Sequence, residues 1–375
     1  MKSKPSICYL TFDSLFEGVG RSQIVPLIRG ISRKGYSVSV ISFEKGKSDL
    51  QNFDFGNANI DWISLPFGRA GLLGLPGRIF RMARAVPKAD IYHCRSDLPV
   101  LALLFKKNLT FLWDVRSLWY DQKSLIDGRK QSGLMHWIAR KLEKYASTRA
   151  AAINVLASPL LEKLITRNGS IPHIQSVIPT SVDLELFGHS AEFPKKRIIM
   201  LSGTLNNFYD MNLTLKVLDW FNDDGYEVVW CKGLEALRQG VNRTYIETRV
   251  KKHEEMPEEI ANSTFGIAVC RGDAGDVLKG VMPTKIAEFL AVGRPVIVSA
   301  GMGDLDQLIR STNTGIVLDD CANQEEVLTR AIKLLMDPNL SLRCRSLAIN
   351  RFSMTKAIDS YEEIYRKLLL SRDIN

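Results

Sequence analysis

The chain of 375 residues has no apolar run long enough to cross a bilayer. Its longest, such as Leu98 to Phe105, fall well short of the roughly 20 residues that a spanning helix needs. The N-terminus has Lys2 and Lys4 but then no apolar signal core and no small-residue cleavage site, only a strand-like stretch, Ile7 to Phe12. Six cysteines (Cys8, Cys94, Cys231, Cys270, Cys321, Cys344) lie far apart, most of them in strand-like stretches. That suits small buried hydrophobes in a reducing compartment better than a disulfide frame. Neither the cysteines nor the five histidines show metal-ligand spacing, so no metal is expected. There is no low-complexity tract and no aromatic-rich nucleic-acid module. Together these absences describe a soluble, cytoplasmic chain.

What is present is globular: 45% hydrophobic and 24% charged residues, over a length comfortable for two domains of ordinary size. The net charge of +9 is uneven. Through Gln175 there are about 26 basic against about 13 acidic residues, and about 24 against about 28 thereafter. The basic half points to a negatively charged acceptor or an anionic membrane surface.

The first half alternates strands and helices. Ile7 to Phe12 runs into DSLFEGVGR, then a helix from about Ser22 to Lys34 and a strand from Tyr36 to Phe43, which opens a doubly wound α/β unit. Gly18 and Gly20 let a ligand approach the backbone at the carboxyl edge of such a sheet, where ligands collect. A third strand, Ile60 to Leu65, precedes Pro66 to Lys88, which mixes leucines with Arg69, Arg78, Arg81 and Arg84. It reads either as an ordinary crossover helix or as a basic amphipathic segment for a membrane interface. Two further strands end in polar residues, His93 and Arg95 after one, Asp114 and Arg116 after the other. An Arg with a partner at each of two neighbouring strand ends suggests acceptor binding for His93 and Arg95 and a catalytic role for Asp114 and Arg116. Leu134 to Tyr145 is an amphipathic helix, Ala152 to Leu156 a strand, and Ser158 a plausible N-cap of the next helix.

The second half is organised around Pro283 to Ser299 (PTKIAEFLAVGRPVIVS). Pro283 suits the first position of a helix, Ile286, Ala287, Phe289 and Leu290 give it one apolar face, Gly293 stops it, and Val296 to Val298 continue as a strand. Lys285 and Glu288 share another face close to the helix N-terminus, where free N–H groups favour an anion. A phosphate at the helix start with two ribose hydroxyls on Glu288 is one reading. A plain Lys285–Glu288 surface pair is the other.

Glu288, Ala291, Gly293, Pro295 and Val296, together with Gly18 to Ser22, Ile178 to Phe187 and Phe352 to Leu368 in that order, resemble the family 4 glycosyltransferases of the GT-B fold. The resemblance implies two Rossmann-like domains facing across a cleft: residues 1–185 holding the acceptor, and residues 186–375 holding the nucleotide sugar. The second includes a terminal helix that returns to the first domain, with Tyr361 and Tyr365 as packing residues. It implies retaining, metal-independent transfer of a hexosyl group from a nucleoside diphosphate sugar, with no cofactor, to a glycan or lipid-linked precursor. Donor contacts would come from Glu288, Pro283, Thr284, Gly203, Gly18 and Gly20. His253 to Ile260 resembles the segment that holds the base.

The sequence departs from that pattern twice. The loop Gly203 to Asn212 contains no Lys or Arg where many members place diphosphate-binding cations, and the position of their first motif Glu is Gly280. Arg271 and Lys285 are then the expected catalytic cations, unless Arg271 closes an ion pair with Asp273 or Asp276. A sugar-nucleotide epimerase and a non-catalytic subunit of the same fold remain as alternatives.

Overall fold

A computed structural model describes residues 4–46, 54–56, 58–69, 71–104, 106–128, 133–233, 240–319 and 321–374. The chain forms two parallel sheets, each with helices on its faces, in the GT-B arrangement. In chain order the first domain runs β1 (Ser6–Leu10), α1 (Val25–Arg33), β2 (Ser37–Glu44), β3 (Ile60–Pro66), α2 (Leu75–Ala85), β4 (Ile91–Arg95) and α3 (Leu98–Leu103). It continues with β5 (Phe111–Val115), α4 (Trp119–Ile126), α5 (Leu134–Arg149), β6 (Ala152–Val155), α6 (Ser158–Asn168) and β7 (Ile174–Val177). Strand order is β3-β2-β1-β4-β5-β6-β7. β1 and β4 to β6 are apolar along most of their length because helices cover both faces. Leu27, Ile28 and Ile31 of α1 fill one face; Met82, Val100, Leu142 and Leu160, from α2, α3, α5 and α6, fill the other.

The second domain runs β8 (Ile198–Ser202), α7 (Met211–Asp223), β9 (Glu227–Lys232), β10 (Ile246–Val250), α8 (Met256–Ala261), β11 (Phe265–Ala268), α9 (Thr284–Val292), β12 (Val296–Ser299), α10 (Leu305–Thr312), β13 (Gly315–Leu318), α11 (Gln324–Leu335) and α12 (Leu340–Leu347). Its strand order is β10-β9-β8-β11-β12-β13, all parallel. α9 lies close on β11 because Gly266 has no side chain there: a Cβ would come within 2.4 Å of the Phe289 ring. Gly293, at φ +95°, ends the helix in the left-handed conformation. The next residue, Arg294, is fully buried and donates to the backbone oxygens of Ser190, Glu192 and Ala261. It thereby ties the inter-domain segment to the second core.

The chain crosses between domains twice. Val182 on the first crossing pairs with Ser353 on the second, through Val182 N–H to Phe352 O (2.7 Å) and Met354 N–H to Val182 O (3.0 Å). From there α13 (Met354–Ile374) packs Tyr361, Ile364, Tyr365 and Leu368 into the α1 side of the first domain.

On the far side of the cleft, the 3-10 segment Gly272–Gly280 lies against α4 and α6. There Lys163 Nζ meets Asp276 Oδ2 at 2.5 Å and Arg167 reaches the same oxygen at 3.6 Å. Ser158 is the first residue of α6 rather than its cap, which is Ala157. Its N–H donates to Asp304 Oδ2 across the interface (2.9 Å), so the second domain supplies the acceptor that a capping side chain would have given.

Candidate functional site

The carboxyl edges of the two sheets enclose a chamber of about 570 Å³. The first domain contributes Phe16, Gly18, Val19 and Arg21, and the second Gly203, Tyr209, His253, Thr284, Lys285 and Glu288. A smaller cavity of about 250 Å³ adjoins it, lined by Arg21, Arg29, Ser181, Asp183 and His253. Glu288 walls both cavities.

α9 sets the geometry of the second-domain wall. Pro283 precedes the helix with extended ψ (130°), so Thr284 is its first residue and Pro283 its cap position. Thr284 and Lys285 face the chamber from the first turn, where backbone N–H groups have no helical acceptor. Glu288 follows one turn on. The residue is 8% exposed, and its carboxylate has no hydrogen-bond or ion-pair partner among the described residues. Burial pushes its pKa up to about 7, against the opposing pull of Lys285. The alternative reading, a Lys285–Glu288 surface pair, is not formed. Instead Lys285 Nζ sits 4.5 Å from the centre of the Tyr209 ring and opposite Gly203, where φ is +73° and a Cβ would lie 3.8 Å from the ammonium. A buried acid and a cation thus stand apart beside open space, each able to take a ligand group.

The first-domain wall is held by a different device. After β1 the chain turns through a π-helical segment, Gly20–Ile24, instead of entering an α-helix at Ser22. Gly20 does not line the chamber. A Cβ there would strike Ser14 O at 1.7 Å, so this glycine permits the loop's own close packing. Buried Glu44, at the end of β2, accepts from Ser14 Oγ (2.5 Å), Leu15 N–H (3.0 Å) and Ser42 Oγ (2.6 Å) and fixes the same loop. The loop presents Gly18, at φ +48°, and Arg21 to the chamber. Arg21 Nη2 reaches Glu254 Oε1 of the second domain at 3.1 Å.

The polar ends of β4 and β5 lie elsewhere than expected. His93 and Asp114 are fully buried and do not line the chamber. His93 joins Tyr365 OH at Nδ1 (2.6 Å) and Asp114 Oδ2 at Nε2 (3.2 Å), while Asp114 Oδ1 accepts from Asn154 Nδ2 (2.7 Å) and Tyr361 OH (3.1 Å). Arg116 stands 3.5 Å from Asp114, and Arg95 pairs with Asp13 at 3.1 Å. Burial opposes the Asp114 charge, yet Arg116, His93 and Arg95 hold its carboxyl well below the usual carboxylate range. Burial also lowers the pKa of His93. These four residues are occupied by one another, by Asp13 and Asn154, and by α13.

Arg271 is likewise turned away. It grips Asp273 with two bonds (2.8 and 2.5 Å) and does not line the chamber, while Asp276 is taken by Lys163 and Lys279. Gly280 has its own structural explanation: a Cβ there would come 2.8 Å from Leu160 Cδ2 of α6. The position of the missing motif Glu is thus filled by contact between the domains.

Sequence reasoning missed Arg21, Tyr209, Lys251 and Lys252 on the chamber wall. For Arg21 the available signal was a cation directly after Gly-Val-Gly at the carboxyl end of β1. The other three lie on loops that follow β8 and β10, at the same edge. Among the described residues no group of three His, Cys, Asp or Glu side chains is placed to hold a metal, and no helix is long and apolar enough to cross a membrane.

No protein-family model matches the sequence, and no curated protein matches it. Solved structures do resemble the fold. A sucrose-phosphate synthase from Thermosynechococcus elongatus superposes with a TM-score of 0.71 at 16% identity, covering 98% of this chain and 100% of that one. A glycosyltransferase from Rickettsia africae gives 0.67 at 14% identity, covering 98% and 99%. Anabaena HepE in complex with UDP-glucose gives 0.64 at 12% identity, covering 96% and 99%. At these identities the likeness establishes the two-domain fold along essentially the whole chain.

Proposed function

We propose that the chain is a retaining glycosyltransferase that moves a hexosyl group from a nucleoside diphosphate sugar to a glycan or lipid-linked precursor at the cytoplasmic face of a membrane. The observation that carries the reading is Glu288, a buried carboxylate without a hydrogen-bond or ion-pair partner among the described residues, one turn from a helix N-terminus that opens on an inter-domain chamber. Leaving a buried carboxylate unpaired costs free energy unless a ligand completes it. Two vicinal ribose hydroxyls do so, with the diphosphate at the first turn of α9. The neighbour solved with UDP-glucose supports the same class of donor.

In this reading the bond from the anomeric carbon to the diphosphate oxygen breaks, an acceptor hydroxyl oxygen bonds to that carbon on the same face, and its proton leaves with the diphosphate. Charge grows on the leaving group as the bond breaks. Lys285, with the N–H groups of Thr284 and Lys285, supplies the positive charge there, so the scheme uses electrostatic stabilisation without a metal or cofactor. Residues that hold the sugar are not assigned, since Gly280 offers no carboxylate.

Mass spectrometry of the protein with a panel of nucleotide sugars and a lipid-linked glycan extract tests the reading. Release of nucleoside diphosphate with glycosylated product is expected. An isomerised sugar nucleotide would mean an epimerase, and nucleotide binding without turnover a binding subunit.

A further inference from the structure

Two helices of the first domain leave large apolar side chains in solvent. Leu73, in the 3-10 turn before α2, is 79% exposed and Phe80 on α2 is 62% exposed; on α5, Leu134 is 71% and Trp137 58% exposed, with Ile138 beside them. Both helices bury their other sides in one cluster with Cys8, Leu10 and Trp113, so the exposed groups look out from the same face of the sheet.

They also share an end. In a parallel sheet each connecting helix runs back against the strands, and its N-terminus therefore lies at the carboxyl edge, where the chamber opens. α5 has 16 residues against five in β5 and four in β6. At 1.5 Å per residue it spans about 24 Å beside strands of roughly 13–17 Å, so its first turns overhang the sheet. The overhang is why Leu134 and Trp137 have no core to enter. Leu73 lies at the same edge, in the turn ahead of α2. Buried Arg78 fixes that turn, since it donates to the backbone oxygens of Arg69 and Gly71 and stacks 4.4 Å from the Phe67 ring.

The exposed charges carried by the two segments themselves have one sign. No acidic residue occurs from Pro66 to Lys88, where Arg69, Arg84 and Lys88 are exposed. On α5 the one acid, Glu143, is buried between Arg140 and Arg167, which leaves Lys141, Lys144 and Arg149 outward. The Arg84 guanidinium lies 5.8 Å from the Phe80 ring and Lys141 Nζ lies 5.5 Å from the Trp137 ring. Each patch thus pairs an apolar side chain with a cation, the composition that favours the headgroup region of an anionic bilayer.

We infer that the first domain docks on an anionic lipid surface through the exposed apolar side chains of α2 and its preceding turn and of the overhanging end of α5, with the chamber mouth facing the membrane. The acceptor would then be delivered from the bilayer plane while the soluble donor enters from water. The delivery step rests on the function proposed above; the docking does not.

Co-sedimentation with phosphatidylcholine vesicles, with and without phosphatidylglycerol, tests the docking. Binding is expected only to the anionic vesicles and should weaken between about 0.05 M and about 0.5 M salt. Replacing Leu134 and Trp137 by serine, or Leu73 and Phe80, should each lower partitioning about tenfold while leaving the circular-dichroism melt and the UDP titration in vesicle-free buffer unchanged. Equal binding to neutral and anionic vesicles, or no loss in either double variant, would overturn the proposal. Failure of UDP and of other nucleoside diphosphates to bind the wild type would count against the function while leaving the vesicle result to decide the docking.

Discussion

The carboxyl edges of the two sheets carry similar residues and treat them oppositely. At the ends of β4 and β5, His93, Asp114, Arg95 and Arg116 are engaged by other groups of the protein. At the start of α9, Glu288 and Lys285 have no hydrogen-bond or ion-pair partner among the described residues, Lys285 resting only on the Tyr209 ring, and both face open volume. A polar group at a strand end is thus no guide to its use until its bonds are traced. A saturated set holds the fold together; an unsaturated one is available to a ligand.

Exchanging the two roles should give the largest effects. Asp114→Ala leaves Arg116, His93 and Tyr361 buried without their shared acceptor, and should cost about 3–5 kcal/mol in urea unfolding, with nucleotide affinity of the folded fraction unchanged. Glu288→Ala should do the reverse, weakening UDP or its counterpart by about 2–4 kcal/mol in calorimetry without lowering the melting temperature. An affinity loss in the first variant, or a stability loss in the second, would erase the contrast.

A smaller contrast separates two cations. Lys285→Ala should lower kcat by roughly a hundredfold with donor saturating, because its charge matters most as the diphosphate departs. Arg271→Ala, already committed to Asp273, should stay within about twofold.

The smallest effect is in pH. The Glu288 carboxyl has an ordinary value of 4.5 and sits near 7 in the fold, and Asp97, buried against Trp113, rises from 3.8 to about 7. Between those limits the native state binds more protons than the unfolded chain, so stability should fall as pH rises through the window, by about 1–2 kcal/mol for each of the two groups from pH 5.5 to 7.5. Glu288→Gln should remove its share of that slope. Donor affinity should climb over the same interval, since the hydroxyls donate to the ionised form.

Much of this was legible in the sequence, and for particular reasons. The α9 to β12 run was read because its apolar period, its terminal glycine and the following proline are all local signals, and only the role of Pro283 shifted by one position. The strand alternation was read likewise. What failed was long-range. His93 and Asp114 meet Tyr361 and Tyr365 from the far end of the chain, and no local window shows that a strand-end carboxylate has been closed from there. Gly280 looked like a missing acid because a motif concerns ligands, whereas Leu160, 120 positions earlier, determines what fits.

The bond between the two crossings has a consequence for how the protein is made. Because Val182 lies beside Ser353, everything between them is an insertion in the first domain, whose own chain is 4–182 and then 353–374. The half that leaves the ribosome first is completed last. Until Tyr361 and Tyr365 emerge, His93 and Asp114 lack their α13 partners, and the α1 side of the sheet stays bare while the inserted domain can already fold as a unit. Ribosome-bound chains that stop short of α13 are therefore the ones that most need a chaperone, with the second domain finished and the first still waiting.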